Sequence, residues 1–165
     1  MVASASPEAT AAGIAILEQG GNAIDAAVAI QFALAVTEPA MSGLGGQTQI
    51  LIHPPNGPPV MINGTSFAPG VLPEGDISRD ALRTGWTSTT IPSTVRVMDF
   101  AMREFGGGKG SWAEALAPAI NYAEDGFVVG EFRHRVYARH ENDLKNSPTA
   151  APLFLKPDGS APVRG

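Results

Sequence analysis

The sequence predicts an α/β domain in which helices layer against a sheet. Three features carry this reading. Residues 6–36 form a small-residue helical hairpin, residues 42–46 are a glycine-rich segment leading into an apolar strand, and residues 92–145 supply further helices with one apolar face each.

Ser6 is suited to cap a first helix with Pro7 at its first position, where the missing N–H costs nothing. Gly20 and Gly21 supply the stop, which places the helix at about residues 7–19. Ala9, Ala12, Gly13, Ile16 and Leu17 make its buried stripe. Asn22 then caps a second helix from Ala23 to about Val36, with Asp25 in the first turn, where a carboxylate complements the helix dipole. This helix is apolar nearly all round, so it is expected to pack on two sides. Asp25 and Gln31 interrupt a run already too short for the ~18–20 residues of a membrane span.

Gln47–Ile52 reads as a strand and Val60–Ile62 as its antiparallel partner, joined by the turn-rich residues 53–59. Residues 64–90 are irregular, either an active-site loop or a surface connection, with a helical turn near Ser78–Arg83. Pro92 opens a third helix, whose stripe is Val97, Met98, Ala101, Met102 and Phe105. Ser111 and Glu114 form a capping box for a fourth, with Trp112, Ala115, Leu116, Ala119, Ile120 and Ala123 inward and a bend at Pro118. A last helix spans about Gly130–Lys145. The Pro-rich tail, 148–165, holds few core-forming residues and reads as incomplete.

The chain's 165 residues suit one domain. A net charge of −5 and 44% hydrophobic residues against 16% charged describe a globular chain with no basic patch for nucleic acid. Arg133, His134, Arg135, Arg139 and His140 are interleaved with acids and read as a solvated helix face. The absence of cysteine excludes disulfides, thiol nucleophiles and thiolate metal sites. Glu131 and His134 are half of a carboxylate-bridged metal motif with no second copy, and no metal or cofactor is expected. The compartment, periplasmic, extracellular or cytoplasmic, is not set by these residues.

Ser42-Gly43-Leu44-Gly45-Gly46 precedes a strand rather than following one, which argues against a phosphate cradle. Ser42, Gly43, Gly45 and Gly46 read as structural residues that permit close backbone approach at the edge of a substrate cleft. No nucleophile elbow and no Ser-x-x-Lys is present.

Two ordered blocks resemble the γ-glutamyltransferase family of N-terminal-nucleophile hydrolases. The first runs through Ser6-Pro7, Ala9-Thr10, Ala12-Gly13, Ile16-Leu17, Gly20 to Ala29, Glu38-Pro39 and Ser42 to Gly46. The second holds Ile91-Pro92, Phe105-Gly106, Trp112 to Glu114, Leu116 to Ile120, Ala123 and Gly126-Phe127. The resemblance implies the N-terminal portion of the large subunit of a four-layer αββα sandwich. It also implies a self-cleaving precursor whose catalytic threonine becomes the N-terminus of a small subunit, with its own amine as base. No matching threonine motif lies in this span, so the expected partners are an amide substrate, the remaining C-terminal part and the small subunit.

The family's Asp-Gly-Arg-Glu-x-Ala-Pro segment, whose arginine binds the α-carboxylate of the γ-glutamyl group, aligns with Asn63 to Pro69. Thr65 stands at the arginine's place and Ser66 at the glutamate's. Losing a buried bidentate contact is worth about 2–5 kcal/mol. Thr65 is therefore the candidate substrate-binding residue. An acylase taking a different amide, or a non-catalytic relic of the scaffold, is the alternative.

Overall fold

The computed structural model describes residues 1–71, 74–108 and 110–165; positions 72 and 73 of the irregular segment lie outside the described residues. Helix α1 is Pro7–Glu18, with the Ser6 hydroxyl accepting from the Ala9 N–H at 3.1 Å. Gly20, at φ 90°, turns the chain where an L side chain would be strained. Leu17 lies at the margin of the stripe, more exposed than Ala9, Ala12, Gly13 and Ile16, which are buried.

Helix α2, Ala23–Thr37, is the centre of the molecule. One side meets α1, with Ala33 against Ala9 and Ala12, where small side chains allow close approach. The other side places Val28 and Phe32 against Val97, Met98, Ala115 and Ala119. Phe32 meets Trp112 edge-to-face at 5.3 Å. Ala27, by contrast, is only half-buried.

Asn22 and Asp25 form a capping box, and Asp25 does more than face the dipole. Its Oδ2 accepts from the N–H groups of Asn22 (2.8 Å) and Gly107 (2.9 Å), and Asn22 Nδ2 donates to the Phe105 carbonyl at 2.8 Å. A Cβ on Gly107 would stand 2.9 Å from Asp25 Oδ2, so the glycines after Phe105 admit the carboxylate as well as ending a helix.

After the short helix α3, Pro39–Ser42, the chain enters β1, Thr48–Ile52, which pairs antiparallel with β2, Val60–Gly64. The register sets Thr48 opposite Gly64, Ile50 opposite Ile62 and Leu51 opposite Met61. Ile50, Ile52 and Ile62 turn toward the helices, while Gln49, Leu51, Met61 and Asn63 are exposed on the other face.

Helix α4 is Thr94–Phe105, so Pro92 lies before it rather than at its first position. Ile91 is held extended by a bridge to Phe67, as the residue before a proline favours, and Ser93 supplies the preceding turn. In the irregular segment the turn near Ser78–Arg83 forms, with Leu82 N–H on the Ser78 carbonyl, and a 3-10 turn follows at Trp86–Ser88.

Helix α5, Trp112–Asp125, keeps its Ser111–Glu114 capping box and continues through Pro118. Ala115 and Ala119 are its buried residues; Ile120 and Ala123, expected inward, are exposed, and Tyr122 takes the inward place with its hydroxyl on the Glu8 carbonyl. The axis from Ala115 through Ala119 to Tyr122 points at α2 and α1, and Ile120 falls on its flank.

The expected helix over 130–145 is two, α6 (Glu131–Arg139) and α7 (Glu141–Lys145), broken at His140. The tail contributes α8, Ala151–Phe154, whose Phe154 stacks on Tyr137 at 6.2 Å, and a buried Ala161. No helix among the described residues is long and apolar enough to cross a membrane.

Candidate functional site

Thr65 follows β2 directly, on the exposed face of the hairpin. Its hydroxyl donates to Asn63 Oδ1 at 2.6 Å, and Gln49 Nε2 donates to the same oxygen at 3.1 Å. Gln47 Oε1 accepts from the Ser66 N–H at 3.1 Å and faces the Ser66 hydroxyl at 3.4 Å. Strand pairing seeds this cluster, because Gln49 and Asn63 stand opposite one another on the exposed face of the ladder, and Gln47 and Thr65 lie just beyond the paired residues at the same end. Its five side chains are neutral hydrogen-bonding groups.

The glycine-rich segment reaches the same place at one end only. Gly46 adjoins Gln47, and its carbonyl accepts from the Ser93 N–H at 3.0 Å. Ser93 in turn donates its hydroxyl to the Gly64 carbonyl, so one residue ties the start of β1 to the end of β2. A Cβ on Gly64 would lie 2.5 Å from the Thr48 carbonyl oxygen, which makes Gly64 the tight approach beside Thr65. A Cβ on Gly43 or Gly46 would also approach backbone, at 3.3 Å from the Pro39 oxygen and 3.4 Å from the Gly43 oxygen respectively, whereas one on Gly45 would meet open space. Ser42 lies at the far end, its carbonyl facing Gln31 Nε2 at 3.5 Å.

A second polar group was not legible in the sequence. Arg133, expected on a solvated face, is only 7% exposed. Its Nη2 and Nη1 donate to the Glu8 carboxylate at 2.6 and 3.1 Å, Nη1 also reaches the Val128 carbonyl at 2.5 Å, and Nε stands 3.5 Å from Glu38. The guanidinium lies 4.9 Å from the centre of the Phe127 ring. The hydrogen bonds from Arg133 hold the Glu8 carboxyl below its ordinary range, while burial pushes Glu38, the more distant partner, above it. Helical spacing identified the neighbours of Arg133 on its own helix; the two carboxylates come from α1 and the end of α2. Of the rest of the expected basic face, Arg135, Arg139 and His140 are exposed, Arg135 pairing with Glu131 and His140 lying against Asp143, whereas His134 is half-buried. His134 Nδ1 is 2.8 Å from the Pro162 carbonyl oxygen.

Residues 9–165 match the family model described as gamma-glutamyltranspeptidase. The chain belongs to the gamma-glutamyltranspeptidase family. It is 34% identical to a glutathione hydrolase proenzyme of Bacillus subtilis (strain 168), over 96% of this chain and 28% of the relative. It is 36% identical to the acylase ACY 1 proenzyme of Pseudomonas sp. (strain SE83), over 94% of this chain and 30% of the relative. The crystal structure of Helicobacter pylori gamma-glutamyltranspeptidase superposes with a TM-score of 0.92 at 29% identity, covering all of this chain and 49% of that one. The fold is therefore that of an N-terminal-nucleophile hydrolase, and the chain spans under a third of the length of these two curated relatives.

Proposed function

We propose that the whole protein is an amidohydrolase or transferase that cleaves or transfers the γ-glutamyl group of glutathione-type amides. The family match over residues 9–165 carries this reading. A threonine outside this span attacks the amide carbonyl through its hydroxyl while its α-amine takes the proton. The amide C–N bond then breaks, the leaving amine departs with that proton, and water or a second amine takes the acyl group from the resulting ester and frees the threonine. In this reading the present chain belongs to the large subunit and joins a small subunit that brings the nucleophile, as the proenzyme names of the relatives support. Thr65 borders the substrate, and the Ser42–Gly46 segment forms the cleft edge beside it.

One observation favours a second reading, an acylase of the same fold acting on a non-γ-glutamyl amide. Gln47, Gln49, Asn63, Thr65 and Ser66 offer hydrogen bonds and no cation to a substrate α-carboxylate. The test is kcat/KM of the full-length enzyme for a γ-glutamyl anilide and for the same anilide lacking the α-carboxylate. A γ-glutamyl enzyme prefers the carboxylate-bearing substrate; an acylase shows no such preference; a relic turns over neither.

Thr65→Arg is expected to raise the preference for the carboxylate about tenfold, the ~1.4 kcal/mol of a partly supported ion pair. The gain is partial because Asn63 and Ser66 do not brace a guanidinium. An unchanged preference would place the substrate cation elsewhere and remove Thr65 from the site.

A further inference from the structure

Backbone donors decide which way two side-chain amides beside Thr65 are turned. The Thr65 N–H donates to Asn63 Oδ1 at 3.3 Å, and the Ser66 N–H donates to Gln47 Oε1 at 3.1 Å. A backbone N–H can only donate, so the oxygen of each amide is held by the chain after β2 and its NH2 group is left for another partner. Among the described residues, neither Asn63 Nδ2 nor Gln47 Nε2 finds one.

The Thr65 hydroxyl is committed as well. It donates its one hydrogen to Asn63 Oδ1 at 2.6 Å and accepts from Gln49 Nε2 at 3.4 Å, which leaves it a lone pair to offer and no hydrogen. Gln49 Nε2 also donates to Asn63 Oδ1 at 3.1 Å, so one glutamine braces both residues in this arrangement. Asn63 and Thr65 therefore present amide hydrogens next to a hydroxyl lone pair.

Few end groups complement that pair. A carboxylate only accepts; it would have to take the Thr65 hydrogen away from Asn63 and would give up its water with no cation in return. An ester also only accepts, and an ammonium only donates. A primary carboxamide accepts from Asn63 Nδ2 through its oxygen and donates to Thr65 Oγ1 through its nitrogen, and every hydrogen bond already present survives. We infer that the acyl chain this protein cleaves carries a neutral α-carboxamide where a γ-glutamyl group carries its α-carboxylate, and that Thr65 and Asn63 select it. The inference rests on the reading proposed above, in which the whole protein cleaves an amide and Thr65 borders the substrate, and it names the substrate class of that same site.

The test is kcat/KM of the full-length enzyme for four anilides that all keep the α-amine. One is the γ-glutamyl anilide, two replace its α-carboxylate by a carboxamide or a methyl ester, and the 4-aminobutyryl anilide lacks the group altogether. The carboxamide is expected to exceed each of the other three by about tenfold. Thr65→Val removes the acceptor and keeps the branched side chain, whereas Asn63→Leu removes the NH2 donor and releases the Thr65 hydrogen. Each should bring the carboxamide to within about threefold of the methyl ester, and each residue is exposed, so one variant serves if the other misfolds. A preference for the carboxylate overturns the inference and leaves the γ-glutamyl reading standing, with its cation elsewhere. A carboxamide no better than the ester or the 4-aminobutyryl anilide, or a preference that survives in both folded variants, overturns it and leaves an amidase that selects its substrate by other residues. Turnover of none of the four refutes the amide-cleaving reading itself, and this inference with it.

Discussion

Arg133 shows how one side chain can join segments far apart in sequence. It draws together the first turn of α1, the end of α2 and the Phe127–Val128 stretch, and burial makes each of those contacts matter. Removing it leaves two carboxylates without their counter-ion, so Arg133→Ala should lower unfolding free energy by about 3–5 kcal/mol in urea denaturation. A loss under 1 kcal/mol would mean the pair is solvated. The acid response follows from Glu8, whose folded-state pKa lies below its ordinary value near 4.5 because Arg133 holds the ionised form. Its contribution is fully present above pH 4.5 and is lost as pH falls through the depressed folded value. Glu38, raised by burial, opposes this, favouring the folded state when protonated and losing that advantage as pH rises through its folded pKa. Glu8→Gln should therefore be less stable than the parent at pH 7 and converge with it in acid. Parallel stability curves from pH 7 to about pH 2 would separate Glu8 from the pairing.

Among the elements, α2 has most to lose from substitution, because it is packed on opposite sides by α1 and by α4 with α5. Ala29 is fully buried, so Ala29→Asp strands a carboxylate among apolar groups and should abolish soluble folding. Ala27, although on the same helix, is half-buried, and Ala27→Asp should cost visibly less. Glu18→Ala on exposed α1 surface should change stability by under about 0.5 kcal/mol. Thermal melts of the three in the full-length protein check the order; similar behaviour of Ala29→Asp and Ala27→Asp would mean α2 is covered on one side alone. The capped helices α1, α2 and α5 and the β-hairpin were legible because Ser6, Asn22, Ser111 and the strand alternation act within a few residues. The break at His140 and the outward turn of Ile120 were not, since both depend on what α6, α7 and α5 meet in space.

The whole molecule has two unlike sheet faces. Ile50 and Ile62 are packed on the helical core, whereas Leu51 and Met61, paired across the ladder, are 72% and 54% exposed. An apolar pair on an open sheet face promotes association, so the 165-residue chain produced alone should self-associate, and Leu51→Lys should reduce this in sedimentation measurements. A monomeric parent chain at high concentration would contradict that expectation. The same chain alone is expected not to turn over a γ-glutamyl anilide, since in the proposed mechanism the nucleophile comes from outside it. Turnover that survives controls for contaminating enzyme would refute it.

The sequence by itself determined the helical hairpin, the hairpin of strands, the family and the neutral residue at position 65. Each is written in short-range spacing or in ordered motifs. Only the tertiary structure decided that Asn63, Gln47 and Gln49 surround Thr65 and that Arg133 is buried between Glu8 and Glu38. Those contacts bridge up to 125 residues of chain, and long-range pairing follows from how the elements pack, which no local period encodes.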